Sequence, residues 1–118
     1  MNNALLYMNL QLKHRFWLET EQGKFLGHGR IELLELIEEH GSINKAALAM
    51  NMAYRKAWGL CQEMNQYADK PLIIQKKGGK SGGGTRLTAE GKNAITTFKK
   101  LEKSFKDFAK EASKQLNF

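Results

Sequence analysis

Arg55, Lys56 and Gln62 stand within eight positions of one another, and their chemistry is recognition rather than catalysis. A guanidinium fork matches the two acceptors on a guanine edge, a carboxamide matches the donor and acceptor of adenine, and an ammonium holds phosphate. At about 100° per residue, Arg55, Lys56, Gly59 and Gln62 lie broadly on one side of a helix with Glu63 beside them. Ala57, Leu60, Cys61 and Met64 lie on the other side, which must pack. Gly59 removes a side chain mid-face, so a partner's backbone could approach closely there. Tyr54 and Trp58 flank the face: Tyr54, near the helix start, can hydrogen-bond phosphate, whereas Trp58 is expected to pack in the core. Cys61, on the apolar side, reads as an inert small residue rather than a redox sensor.

A second cluster surrounds glycines. Five of the eleven glycines lie between Gly78 and Gly84, flanked by Lys76, Lys77, Lys80 and Arg86. A hairpin tip without bulky side chains but with several cations can lie along a phosphate backbone or enter a minor groove, as the wing of a winged helix does. Gly79-Lys80-Ser81 resembles the end of a nucleotide phosphate loop. Such a loop needs a glycine where Ile74 stands, and a helix where a return strand follows. A merely flexible hairpin is the competing reading.

The elements that must position these clusters follow from periodicity. Met8 to Leu18 alternates apolar with polar and predicts a half-buried strand, which Thr20-Glu21-Gln22-Gly23 turns back into Lys24-Phe25-Leu26. Ile31, Leu34 and Ile37 share one face of a helix over 30–40, and Gly41 is its natural left-handed terminus. Asn44 is expected to cap a short helix over 45–50, Asn51 to take the left-handed turn conformation, and a third helix to run over 53–67. Ala46 and Ala47 allow two helices to cross closely, with Met50, Met52, Ala57 and Leu60 facing inward. This is helix-turn-helix spacing, although an ordinary helical hairpin shares much of it. Leu72 to Gln75 and Thr85 to Leu87 read as strands, and Thr88 as the cap of a last helix with Glu90 in its first turn. The expected fold is α+β, mainly α: a winged helix-turn-helix with a long C-terminal helix. One domain over 1–118 would comprise a hairpin (8–26), the helical core (30–69), the wing (72–87) and the last helix (88–117).

In that last helix Ala94, Phe98, Leu101, Phe105, Phe108 and Ala112 step by four and three, widened by Ile95, Ala109 and Leu116, while lysines fill the other faces. A helix this long exceeds what one small core covers, and the heptad step predicts packing on a partner helix. Phe98, Leu101, Phe105, Phe108 and Ala112 are therefore the expected dimerisation residues. Alternatively Phe98 and Leu101 cap the domain's own core.

Composition bounds the rest. The chain has 118 residues, 42% hydrophobic and 26% charged, with one Cys and one Pro. That suffices for one core, excludes an internal disulfide framework and predicts a cytoplasmic protein. No stretch near the start suits a signal peptide or a membrane span. Formal charge is +7, yet residues 1–70 carry eight basic and eight acidic groups, so the whole excess falls in 71–118. Such a surplus attracts nucleic acid, or simply keeps a surface solvated. His14, His28 and His40 have no ligand-like spacing with each other or with Cys61, and no acidic pair or Ser/His/Asp set has a reason to be adjacent. Neither a metal, a cofactor nor an enzymatic activity is expected.

Gly27-His28-Gly29-Arg30-Ile31, Gly41-Ser42-Ile43-Asn44-Lys45-Ala46-Ala47, Tyr54-Arg55-Lys56-Ala57-Trp58, Met64-Asn65, Pro71-Leu72, the 78–84 loop and Arg86-Leu87-Thr88-Ala89-Glu90-Gly91 occur in this order. Together they resemble the DNA-binding part of ModE-type molybdate-responsive regulators, themselves similar to LysR-type domains. The resemblance covers roughly residues 10–115. It implies a winged helix-turn-helix homodimer that binds double-stranded DNA to control transcription. Taken with the helix faces and the glycine loop, the expected DNA contacts are Asn44, Lys45, Tyr54, Arg55, Lys56, Gln62, Lys76, Lys77, Lys80 and Arg86. Asn51 departs from the family's turn Gly, and Ala53 from a capping Ser. In that family oxyanion binding belongs to C-terminal β-rich modules, so no small-molecule effector site is expected in these residues. Two other readings remain: an adaptor that kept the fold and lost DNA binding, or a DNA-binding subunit whose oxyanion sensor lies on another chain.

Overall fold

The computed structural model describes residues 10–76 and 84–118. Its elements are β1 (Leu18–Thr20), β2 (Gly23–Leu26), α1 (His28–His40), α2 (Ile43–Ala49), α3 (Tyr54–Tyr67), β3 (Ile73–Lys76), β4 (Gly84–Leu87) and α4 (Ala89–Ser113). The strands form two separate antiparallel hairpins, β1 with β2 and β3 with β4. Together with the three helices α1 to α3 this is a winged helix-turn-helix fold, extended by a long fourth helix.

The core forms where the apolar faces meet. Ile31, Leu33, Leu34 and Ile37 of α1 pack with Ile43, Ala46 and Ala47 of α2, Ala57, Cys61 and Met64 of α3, and Leu72, Ile73, Leu87 and Phe98. Alanines at 46, 47 and 57 keep side chains out of the way where α2 meets its neighbours. Burial pushes the Cys61 thiol up to about 12, so it stays a neutral packing group. α1 ends as its glycine predicts: Gly41 has φ 68° and its N–H donates to the Ile37 carbonyl at 2.7 Å. Asn51 has φ 54° in the turn between α2 and α3.

Three local expectations are corrected. Ser42, not Asn44, caps α2: its Oγ accepts from the Lys45 N–H at 3.1 Å. Asn44 is thereby the second residue of the helix and exposed. Strand pairing begins only at Leu18, and residues 10–17 carry none. The alternation holds only from residue 13, where His14 and Phe16 are half-buried and Lys13, Arg15 and Trp17 exposed; Leu10 and Leu12, expected on the buried side, are exposed. Its cause is a helix rather than a second strand. Phe16 stacks on Phe98 at 4.6 Å and lies 4.7 Å from Phe105, and His14 stacks on Phe105 at 5.3 Å. Met8 lies outside the described residues. Finally, α4 stops at Ser113, short of 117.

Residues 71–73 are held from two sides. From α3, the Asn65 carboxamide donates to the Ile73 carbonyl (2.9 Å) and accepts from the N–H groups of Leu72 (2.8 Å) and Ile73 (3.1 Å). From the start of α4, the Thr88 hydroxyl donates to the Pro71 carbonyl at 2.7 Å and accepts from the Gly91 N–H at 3.0 Å, capping α4. The Thr88 N–H donates to the Leu72 carbonyl at 2.9 Å. Asn65→Ala leaves two donors and an acceptor without their partner in a half-buried place. A loss of about 2–3 kcal/mol is expected, read as a lower urea midpoint at unchanged slope.

Candidate nucleic-acid interface

α3 divides its faces as its sequence predicts. Ala57, Cys61 and Met64 are buried, whereas Arg55, Lys56, Gly59 and Gln62 are exposed. Glu63, the one carboxylate on α3, is engaged: its Oε1 pairs with the Arg30 guanidinium at the start of α1. Arg30 itself is fixed by donating to the Lys24 carbonyl at 2.9 Å, so β2, α1 and α3 are tied at one point. The outward side of α3 thus presents a guanidinium, an ammonium and a carboxamide, with its neighbouring negative charge neutralised.

Asn44 and Lys45 lie exposed in the first turn of α2. Tyr54 opens α3 and is 47% exposed, consistent with a role at its start. Trp58 departs from expectation: it is 42% exposed rather than packed in the core. Ala57 and Cys61 already fill the inward side, and the indole stands on the flank nearer the polar face. Periodicity alone pointed there, but the usual burial of tryptophan argued against it. Ala53 offers no side-chain cap to α3.

The β3–β4 hairpin follows α3 in the position of a wing. Its register pairs Ile74 with Arg86 and Lys76 with Gly84. Alternation along the strands then puts Lys76 and Arg86 on one face, while Ile73, Thr85 and Leu87 are buried on the other. The Thr85 N–H donates to the Gly41 carbonyl at 2.9 Å and anchors the hairpin to the end of α1. Lys77, Lys80 and the loop glycines through Gly83 lie outside the described residues.

On α4 the heptad stripe splits. Phe98 is 1% exposed within the chain's own core, with the His28 ring edge-on at 5.4 Å. This corrects its assignment to a partner interface. Phe105 is partly covered by His14 and Phe16. Leu101 and Ala112 are half-buried, and Phe108 is 66% exposed. Several cations on α4 are engaged within the chain. Lys99 bonds Glu35 of α1 at 2.8 Å, and that hydrogen bond and charge raise its pKa. Lys103 pairs with Asp107.

Two clefts were not foreseen. One of about 490 Å³ lies between residues 11–14 and α4, lined by His14, His28, Glu102, Lys106 and Lys110. His28 Nδ1 sits 3.1 Å from Glu102 there. Another of about 540 Å³ lies between the first hairpin, the end of α3 and α4. Among the described residues no group of three His, Cys, Asp or Glu could hold a metal ion, and no helix is long and apolar enough to cross a membrane.

A helix-turn-helix with a following β-hairpin and a cationic outer helix face defines the class: a winged helix-turn-helix domain. Comparison gives the particular relationship. The chain is a homologue of the N-terminal part of proteins named ModE. It is 39% identical to the molybdenum transport protein ModE of Azotobacter vinelandii over 103 residues, 87% of this chain and 38% of that protein. It is 34% identical to the transcriptional regulator ModE of Haemophilus influenzae over 87 residues, 74% of this chain and 34% of that protein. With the DNA-binding transcriptional dual regulator ModE of Escherichia coli the figures are 37% over 81 residues, 69% and 31%. The chain therefore spans about a third of the length of these curated relatives. No protein-family model matches it.

Gly59, like Gly29 of α1, stands in a helix without a packing reason. A Cβ there would meet nothing within 4 Å, so packing does not require glycine in mid-helix. Gly59→Ala is expected to raise the free energy of unfolding by about 0.5–1 kcal/mol, measured by urea titration.

Proposed function

We propose that this chain is a sequence-specific, double-stranded-DNA-binding transcriptional regulator acting as a homodimer. The observation that carries the reading is the outward face of α3, where Arg55, Lys56 and Gln62 are exposed and the only carboxylate of the helix, Glu63, is neutralised by Arg30. The names of the Haemophilus and Escherichia relatives, which describe transcriptional regulators, support it. In this reading α3 lies in the major groove. Arg55 and Gln62 take base edges, and Lys56 and Tyr54 take phosphate, as do Asn44 and Lys45 of α2. The hairpin lays Lys76, Lys77, Lys80 and Arg86 along the backbone. Gly59 lets the helix axis come close to the sugar-phosphate wall, which accounts for a glycine that packing does not demand.

Arg55→Ala is expected to weaken binding to the preferred duplex by about 1–3 kcal/mol and to relax preference at one position. Arg86→Ala should instead weaken all duplexes alike and lower the slope of log affinity against log salt by about 0.9. Selection of duplexes from a random pool, followed by salt titrations of both variants, checks this. An effect of neither substitution would overturn the assignment. The stabilised Gly59→Ala protein should bind the same duplexes more weakly.

The dimer is proposed through the exposed half of α4, with Leu101, Phe108 and Ala112 at the seam and Phe105 at its edge. Two copies of α3 would then address two half-sites. Phe108→Glu is expected to shift sedimentation velocity from dimer to monomer at micromolar concentration while leaving the helical content unchanged.

A further inference from the structure

We infer that Trp58 reads the methyl group of a thymine, making it a specificity residue between the guanidinium of Arg55 and the carboxamide of Gln62. The inference rests on the DNA-binding reading above and adds to it a base that none of the polar side chains would select.

Trp58 stands three positions after Arg55 and four before Gln62, and Tyr54 precedes it by four, so these side chains are neighbours on the surface of α3. The indole is 42% exposed although the same helix buries Ala57, Cys61 and Met64 almost completely. Among the described residues its N–H has no hydrogen-bond partner. An aromatic surface left in water on a helix whose inward side is already filled gains free energy only by meeting apolar surface elsewhere.

The surroundings restrict what that surface is. Arg55 and Gln62 lie beside the indole, three positions before and four after it, and Glu63 is already paired with Arg30. A complementary partner is therefore anionic or rich in acceptors, with a small apolar group set among them. The major groove of duplex DNA fits this description. Its edges carry the guanine and adenine acceptors that Arg55 and Gln62 match, and its one apolar group is the C5-methyl of thymine. A large flat side chain flanked by two forked ones would bury that methyl while the forks hold the adjacent bases.

The test uses the full chain and a duplex recovered by selection. Each thymine is replaced singly by uracil, which removes only the methyl group. Equilibrium affinities are measured for the unsubstituted protein, Trp58→Ala and Trp58→Phe. At one thymine in each half-site the unsubstituted protein should lose about fourfold, the equivalent of one buried methyl. Trp58→Ala should show no loss at that thymine, and Trp58→Phe should retain part of it. Equal uracil penalties in all three proteins would overturn the inference. So would a Trp58→Ala variant that weakens every duplex equally, which would mark the indole N–H as a phosphate donor. Failure of the unsubstituted protein to bind any duplex would overturn the DNA-binding reading itself, and is distinguishable from both. Trp58→Phe keeps the aromatic packing, so a folding defect in Trp58→Ala does not leave the question open.

Discussion

The arrangement depends on one side chain, Asn65. Its carboxamide must donate to one carbonyl and accept two N–H groups within residues 72–73. Aspartate could not donate and leucine could do neither. The bonds fix the distance and register between the last turns of α3 and the first residues of β3, and so between the recognition face and the wing. Pro71 has no N–H, so the donors available for capture begin at Leu72. On the opposite side α4 comes so near that a Cβ on Gly91 would lie 2.3 Å from the Leu72 carbonyl oxygen. Glycine is required there by close approach, and Thr88 holds the contact while capping α4. Two elements, α3 and α4, thus converge on one short segment, and any movement of β3 relative to α3 must break charge-free but multiply satisfied hydrogen bonds.

The same economy governs charge. The excess of +7 lies entirely beyond residue 70, but part of it is neutralised locally, as Lys99 by Glu35 and Lys103 by Asp107. These exposed pairs contribute little stability. Their consequence is positional: acidic groups of α1 and α4 are engaged, and no uncompensated carboxylate stands on α3. A protein with balanced charge over its first 70 residues can therefore still offer a cationic face, because Arg30 takes up Glu63.

Much of this was legible in the sequence, for identifiable reasons. Gly41, Asn51 and Thr88 each have one dominant backbone or capping role, and each plays it. The inward and outward sides of α3 follow from helical period alone. What was not legible depended on tertiary partners. The alternation before residue 18 matches a strand, but period two records only an extended chain against a surface, and here the surface is Phe98 and Phe105 of α4. Phe98 was assigned to a partner seam because a heptad pattern does not say which part of a long helix its own domain covers. Ser42 and Asn44 are both good caps, and only the path of the chain after Gly41 decides between them. The side-chain bonds of Asn65 span eight positions and leave no periodic trace.

The departures from local rules lie outside the core. The core obeys every one: alanines where helices cross, a neutral buried thiol, a left-handed glycine at the end of α1. Three of the exceptions lie on or beside α3, and others lie on α1 and α2, where Gly29 also meets nothing within 4 Å and Leu48 is 71% exposed. Ala53 gives no cap at its start, Gly59 weakens its middle where no neighbour forbids a methyl, and Trp58 holds an indole in water. Each costs stability that a simple substitution would recover, by amounts of order 1 kcal/mol for the cap and the glycine. Gly59 and Trp58 share what Arg55 and Gln62 have, an exposed position on α3, whereas Ala53 stands just before its first residue. A methyl at 59 would fit and a smaller side chain at 58 would leave less apolar surface in water, so folding alone does not fix these two residues.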